Sequence, residues 1–280
     1  MPELPEVETI SQQLARKIKG KKIKKIEVRL KKVIQARSFN FFKNQVEGAK
    51  IKKVWRRAKM IIIDLNNNYS LVGHLKLTGQ LFFVKELKPE NLKKYTHLIY
   101  HFSDKSCLIY NDLRQFGYVK IIKTADLDKF FQEKKLGPEP LDKNFTLEKF
   151  KTLLKQKPRS RIKILLMDQS FLAGIGNIYA QEICWGAKVQ PQRRINTLID
   201  KEIKLIYTCL IKILKQAIKD KGTTAADEHY QDTAGKKGKY VFKLKVYQKQ
   251  GEKCSRCKKG MIQRINLGGR GTSYCPICQK

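Results

Sequence analysis

The chain opens Met1-Pro2-Glu3-Leu4-Pro5-Glu6-Val7-Glu8. Removal of Met1, common ahead of a small second residue, leaves Pro2 with a secondary amine. An α-amino group titrates near ~8, against ~10.4 for lysine, so a useful fraction is neutral at cellular pH. Attack of such an amine on a sugar aldehyde carbon gives an iminium cation, an electron sink for covalent catalysis. Glu3 stands beside it as a proton carrier. A structural reading competes: Pro5 as the first residue of a helix, with Glu6 and Glu8 complementing its dipole. That reading accounts for Glu6 and Glu8 and leaves Pro2 and Glu3 unexplained. On these residues alone the two readings stay level.

The second group with chemistry lies at the other end. Of seven cysteines, four form Cys254-x2-Cys257-x17-Cys275-x2-Cys278. Two CxxC pairs at this separation match a four-thiolate zinc site, structural rather than catalytic. Two disulfides are the alternative, disfavoured in a reducing compartment. Cys107, Cys184 and Cys209 are scattered singly and read as buried, inert thiols. Between Cys257 and Cys275 the segments Met261 to Asn266 and Gly271 to Cys275 read as two strands. Leu267-Gly268-Gly269 makes their turn and puts Arg270 at the tip, where a basic residue suits a narrow groove. A plain zinc ribbon with an incidental surface arginine is the competing reading.

Charge says what partner to expect. There are 60 Lys+Arg against 25 Asp+Glu in 280 residues, a formal +35. Such an excess calls for a polyanion, nucleic acid first, although a lysine-rich proteome would account for part of it. An anionic membrane is the rival. The longest notable apolar run, Met60-Ile61-Ile62-Ile63, is too short to span a bilayer. The acidic N-terminus is the opposite of a signal peptide, so a cytoplasmic protein is expected.

These groups need elements to position them. Val7, Ile10, Leu14 and Ile18 recur at three and four, which predicts an amphipathic helix over 5–19. From 23 to about 123 short alternating runs follow, among them Met60 to Leu65, Leu81 to Val84, Leu98 to Phe102 and Tyr118 to Ile122. Asn66-Asn67-Asn68, Ser103-Asp104 and Gly117 punctuate them. The pattern predicts a β-sandwich or barrel with a helix at its start. Residues 131–145 read as a linker, and beyond them the period turns helical. Helices are predicted over 147–156 with Thr146 as cap, over about 161–168, from Asn177, and over about 196–219. A strand is expected from Tyr240 to Tyr247. In Leu172-Ala173-Gly174-Ile175-Gly176-Asn177-Ile178-Tyr179, Gly174 suits a left-handed cap and Asn177 the N-cap of the next helix. Exposed N–H groups at that helix start would hold a phosphate, with Arg159, Arg161 and Lys163 nearby in sequence. An ordinary helix connection is the other reading.

These motifs together carry a resemblance. The chain resembles formamidopyrimidine-DNA glycosylase over essentially all of its length. The signatures are Met1 to Thr9, Arg56-Arg57-Ala58-Lys59, Asp112-Leu113-Arg114-Gln115-Phe116-Gly117, the Gly174 to Tyr179 turn, and Arg270-Gly271-Thr272 ahead of the third zinc-site cysteine. The resemblance implies a multidomain α+β protein. Residues 1–130 would be a catalytic β-sandwich with a flanking helix. Residues 146–250 would be a helix–two-turn–helix DNA-binding domain with a mobile loop at 222–240. Residues 251–280 would be a four-cysteine β-hairpin zinc finger, with DNA in the cleft between the domains. By the same resemblance Pro2 is a Schiff-base nucleophile, Glu3 its acid/base partner, and Lys59 and Arg270 serve the elimination steps. Arg114 and Phe116 would enter the base stack, and Asn177 and Lys163, with Arg159, would meet phosphates. Two positions depart from the family pattern. Leu77 stands where a wedging methionine is common, an apolar residue of similar volume. Tyr95 stands where a histidine is common, which keeps a hydroxyl and loses the positive charge.

The implied activity is excision of oxidised purines from duplex DNA, with strand cleavage at the abasic site, one structural zinc and a bacterial, nucleoid-associated monomer. The alternatives are a related glycosylase for oxidised pyrimidines and a non-catalytic zinc-ribbon DNA-binding protein. The segment around 222–240 would fold over the flipped base. Without the resemblance, Leu77 and Phe116 read as core packing and Arg114 as a solvated ion pair.

Overall fold

A computed structural model describes residues 1–225 and 229–280. It divides into two compact units: Met1–Glu133 with Asp220–Val241, and Lys134–Lys219 with Phe242–Lys280.

The first unit begins with α1 (Leu4–Ile18), β1 (Ile23–Val28), β2 (Ile34–Gln35), α2 (Phe39–Val46) and β3 (Ile51–Arg57). It continues through β4 (Met60–Leu65), β5 (Tyr69–His74), β6 (Gly79–Val84), β7 (Thr96–Phe102), β8 (Cys107–Asp112), β9 (Tyr118–Lys123) and α3 (Leu127–Glu133). The strands form two sheets, ordered β1-β7-β8-β6 and β2-β9-β5-β4-β3, antiparallel except for the short β2–β9 pair. Alternate residues of both sheets meet in one core. Ile26, Leu98, Tyr100 and Leu108 come from the first sheet, and Val54, Ile61, Ile63 and Leu71 from the second. The helical face expected of α1 (Val7, Ile10, Leu14, Ile18) closes the same core. The β-sandwich is therefore as expected, and period-2 alternation is its cause. On the outer face of β3, Trp55 meets Phe131 of α3 edge-on, ring centroids 6.0 Å apart.

Two short helices of this unit, α2 among the strands and α3 after them, have no counterpart in the sequence reading. Ser38 caps α2 by accepting the Phe41 N–H (3.1 Å), and Phe42 and Val46 are its buried face. The cap was visible, but the flanking alternation hid a helix of eight residues.

The segment Asp220–Val241 belongs to the sandwich unit, although it follows the long helix in sequence. Its backbone extends the open edge of β6, where the Phe83 N–H donates to the Thr233 carbonyl (3.0 Å). Gln13 of α1 exchanges bonds with Thr233 and Asp232, and Tyr230 is buried in the sandwich core. Expected as a mobile loop, this segment is tied down by side chains of α1 over its described residues. Residues 226–228 of the expected 222–240 loop lie outside the described residues.

The second unit holds α4 (Leu147–Lys155), α5 (Ile162–Met167), α6 (Asn177–Gly186), α7 (Asp200–Lys219), β10 (Gln263–Leu267) and β11 (Arg270–Tyr274). Thr146 caps α4 as expected, accepting the Lys149 N–H (3.3 Å). Residues 195–197 form a separate 3-10 turn, so the last long helix starts later than periodicity suggests. The expected strand from Tyr240 to Tyr247 is absent; Tyr240–Lys243 is a 3-10 turn. The cause lies in Glu182 of α6. Its two carboxylate oxygens accept the N–H groups of Lys245, Val246 and Tyr247, each at 2.9 Å. Three consecutive N–H groups converge on one carboxylate, whereas in a strand they alternate in direction.

Candidate active site and nucleic-acid interface

In the first unit the N-terminal residues are enclosed. Pro2 is buried, Glu3 is 2% exposed and Lys59 is 7% exposed. Glu3 is the N-cap residue of α1, and its N–H donates to Glu6 Oε2 (2.8 Å), the reciprocal half of a capping box. The other oxygen of Glu6 accepts the Thr223 N–H (2.7 Å). One fully buried carboxylate therefore joins the first turn of α1 to the returning segment. Lys59 sits in the two-residue turn between β3 and β4, after Ala58 in the left-handed region (φ 54°). That turn is fixed to α1, because Arg56 donates to Glu8 (2.7 Å) and to the Ala58 carbonyl (2.9 Å). Burying a carboxyl and an ammonium costs several kcal/mol each unless they are well paired, so an apolar core alone would not select them.

A second feature of this unit is a pair of neighbouring turns. Leu77 is half-buried in the tight turn closed by the Gly79 N–H and the Leu75 carbonyl (2.9 Å). Arg114 is exposed and Phe116 is 57% exposed; the guanidinium lies over the ring, 5.0 Å from its centroid. The core-packing reading of Phe116 is thereby corrected, since a core ring would be covered. The ion-pair reading of Arg114 gains no carboxylate among the described contacts. Tyr95 is half-buried, and its carbonyl accepts the Asp112 N–H (3.0 Å).

In the second unit the connection between α5 and α6 makes two turns. Gln169 staples them: its Oε1 accepts the Gly174 N–H (2.9 Å), and its Nε2 donates to the Met167 and Ile175 carbonyls. Gly174 is left-handed as expected (φ 96°), but within the connection and not as the cap of α5. Gly176, not Asn177, is the N-cap of α6. Asn177 is the first helical residue, and its side chain donates to the Gly271 carbonyl (3.2 Å). Gln181, one turn on, donates to the same carbonyl (3.3 Å) and accepts the Ser273 N–H (2.6 Å). The helix start and strand β11 are thus joined by two side chains. Arg159 and Arg161 are exposed, while Lys163 of α5 is fully buried.

The hairpin is present as expected, with its bounds shifted: Leu267 and Arg270, expected in the turn and at its tip, pair as strand residues. Gly268 and Gly269, at φ 62° and 70°, make the two-residue turn that suits strand twist, and Arg270 is exposed beside it. Cys254, Cys257, Cys275 and Cys278 bring their sulfurs within 4.8 Å of one another. Cys254–Cys278 and Cys257–Cys275 stand 3.6 and 3.7 Å apart. Four sulfurs at ~2.3 Å from a tetrahedral zinc would be separated by roughly 3.8 Å, so the donor set and spacing fit that ion. Arg256 supports the cluster: it donates to Cys278 Sγ (3.7 Å), and its guanidinium lies 3.8 Å from the ring centroid of Trp185 in α6. Of the remaining cysteines, burial pushes the Cys184 thiol up to about 12 and raises Cys107 and Cys209, consistent with inert thiols.

Residues 1–119 match the model of the formamidopyrimidine-DNA glycosylase N-terminal domain, residues 136–228 its H2TH domain, and residues 251–280 the zinc finger found in FPG and IleRS. The chain belongs to the formamidopyrimidine-DNA glycosylase family. The family's enzymes from Listeria innocua and Pelotomaculum thermopropionicum are 42% and 41% identical over 280 residues. The matches cover all of this chain, with 100% and 99% of those proteins. Among solved structures, wild-type Lactococcus lactis Fpg with an oxidised pyrimidine containing DNA superposes with TM-score 0.90 at 37% identity, covering both chains fully. The same protein with abasic site containing DNA gives 0.90 at 36% identity over 99% of each chain. The family's α+β architecture and its single structural zinc thus apply here. Among the described residues no helix is long and apolar enough to cross a membrane.

Sequence reasoning passed over Glu6, Gln169, Gln181, Glu182 and Asp112 as site residues. Glu6 had been read as a dipole complement. Each acts on backbone groups; Glu6 and Asp112 stand inside signature motifs, and Gln169, Gln181 and Glu182 stand outside them.

Proposed function

We propose that this DNA glycosylase excises oxidised purines, 8-oxoguanine and formamidopyrimidines, from duplex DNA and then cleaves the strand by β,δ-elimination through a Schiff base on Pro2. The observation that carries the reading is the enclosure of Pro2, Glu3 and Lys59 in a unit whose α1 and β3–β4 turn are tied together by Arg56. Once Met1 is removed, the Pro2 nitrogen attacks C1′ of the extruded nucleotide. The damaged base leaves with the glycosidic bond electrons. Glu3 gives its proton to the ring oxygen as the C1′–O4′ bond opens, and the nitrogen lone pair forms the iminium. That cation acidifies the C2′ proton. Its loss expels the 3′ phosphate, and a second elimination expels the 5′ phosphate. Water finally releases the sugar fragment from Pro2. Lys59 serves the first elimination and Arg270 the second.

Base extrusion costs a few kcal/mol, and Leu77, Arg114 and Phe116 fill the gap it leaves. Arg159, with Asn177 and Tyr95, meets phosphates, and Lys163, fully buried in α5, reaches one only once DNA binding uncovers it. The segment at 222–240 reads the extruded base through backbone N–H groups. Zinc holds the hairpin that carries Arg270 and takes no part in bond breaking. The protein acts as a monomer in the bacterial cytoplasm, at the nucleoid, which suits its charge. Full-length family membership sets aside the non-catalytic zinc-ribbon reading. The Lactococcus lactis relative held with an oxidised pyrimidine makes such a lesion a needed comparison substrate.

Borohydride should crosslink the mature protein to a duplex containing 8-oxoguanine. A form retaining Met1 or a tag should give no crosslink, because its Pro2 nitrogen is an amide. Equal trapping by the blocked form would overturn the Pro2 assignment. Faster excision of an oxidised pyrimidine than of 8-oxoguanine would overturn the purine preference.

A further inference from the structure

The signature Asp112 to Gly117 begins with a residue to which no role has been attached. Asp112 ends β8 at 1% exposure, and every polar group it has is engaged. Its N–H donates to the Tyr95 carbonyl (3.0 Å), and its own carbonyl faces Nε2 of buried His97 at 2.7 Å. A carbonyl only accepts, so His97 donates there. The Asp112 side chain turns the other way. Its Oδ1 accepts from Thr78 Oγ1 (2.5 Å), and its Oδ2 accepts from the Gly117 N–H (2.8 Å) and the Tyr110 hydroxyl (3.2 Å). Burial, helped by the neighbouring Asp112 charge, pushes the Tyr110 phenol far above its ordinary range, so it remains a donor. Thr78 in turn accepts the Arg114 N–H (2.9 Å).

The loop carrying Arg114 and Phe116 is therefore pinned at both ends by one carboxylate, directly at Gly117 and through the Thr78 hydroxyl at Arg114. Thr78 is also the residue after Leu77. Space allows no slack. A Cβ on Gly117 would stand 2.1 Å from the Tyr110 hydroxyl, and one on Gly79 would stand 2.5 Å from the Leu75 carbonyl oxygen. Gln115 between the pins takes φ 58°, which turns the chain so that both Arg114 and Phe116 are exposed.

We propose that Asp112 and Thr78 are positioning residues that lock the Leu77 turn and the Arg114–Phe116 loop into one rigid piece, so that all three side chains enter the base stack together. The inference rests on the gap-filling role given above to those three side chains. Its physical content is preorganisation. A wedge held in place before encounter does not spend binding energy on ordering two loops during extrusion.

Thr78→Val removes the bridging hydroxyl at nearly constant volume, and Thr78→Ser restores it. The substrate is a duplex with 8-oxoguanine and a neighbouring 2-aminopurine, whose fluorescence reports unstacking in a stopped-flow experiment. The second substrate is a single-stranded abasic oligonucleotide, which has no stack to open. Thr78→Val should slow both the unstacking phase and duplex excision, on the order of 10- to 100-fold for a wedge misplaced by about 1 Å. Its loss on the single strand should be at least tenfold smaller. Thr78→Ser should return duplex excision to near the wild-type rate, and Asp112→Asn should follow Thr78→Val.

Equal losses on both substrates would overturn the proposal in favour of general damage to the fold. Wild-type unstacking by Thr78→Val would also overturn it, provided that Leu77→Ala and Phe116→Ala are slow. If those two alanine variants also unstack and excise at the wild-type rate, the gap-filling reading itself fails.

Discussion

The two units hold their working residues by different means. In the sandwich unit, α1 and both sheets share one apolar core of Val, Ile, Leu and aromatic side chains. Glu3, Lys59 and Asp112 are set into a frame that would exist without them. The hairpin of the second unit has almost no such frame. Its buried cluster is Val246, Cys254, Ile262 and Cys275, two of the four being zinc-site cysteines. Position there comes from Glu182 on residues 245–247, Asn177 and Gln181 on Gly271 and Ser273, and Arg256 against Trp185. The lesson is about tolerance. A large core averages out a lost methyl group, whereas a small module hung on a few polar contacts fails when one of them goes.

The largest effect should come from zinc. Cys257→Ser or a strong chelator should release the ion and disorder the hairpin, because modules of this size depend on the metal to fold. DNA affinity should fall steeply, while the sandwich core, followed by amide hydrogen exchange of β4 and β5, stays protected. Parallel loss of both units would break the comparison. Next is Glu182→Gln. Burial pushes this carboxyl up and the three N–H donors pull it down, with burial prevailing. The amide puts a donor against a backbone donor, so a loss of about 1–3 kcal/mol is expected, seen as a lower melting temperature with zinc still bound. The smallest effect belongs to Ile61→Val in the sandwich core, about 0.5–1.5 kcal/mol by calorimetry, with zinc content and DNA affinity unchanged.

What could be read from the sequence follows the same division. The helix over α1, the alternating strands, the Gly268-Gly269 turn and the four-cysteine spacing were legible because periodicity and turn chemistry are local. Glu182 sits in α6 like any helical glutamate, and nothing near it in sequence announces that it collects three N–H groups more than 60 positions away. Glu6 and Thr223 are 217 positions apart. Tyr240 to Tyr247 looked like a strand because β-formers cluster there, and a remote carboxylate overrode that propensity. Asn177 is a good N-cap by type, yet Gly176 takes that place, and Asn177 follows it inside the helix with its Nδ2 donating to the Gly271 carbonyl. Among the site residues, those identified through motifs were legible by type. The residues that orient them were not, since their partners are backbone groups or side chains remote in sequence, such as Thr78 for Asp112 and Glu8 for Arg56.

The return of Asp220–Val241 to the sandwich bears on how the protein is born. A ribosome emits the sheets, α1 and the β3–β4 turn first, then spends the whole of Lys134–Lys219 on the other unit. At roughly 5–20 residues per second that is a wait of about 4 to 17 seconds. During it, Glu6 has not yet met Thr223, and the edge of β6 has no neighbour at Phe83. The nascent sandwich lacks Tyr230 from its core and has its last seam open, and an open strand edge is where chains of the same kind pair wrongly. Closing the seam is therefore a late step, taken when Thr233 reaches Phe83 and Thr223 reaches Glu6.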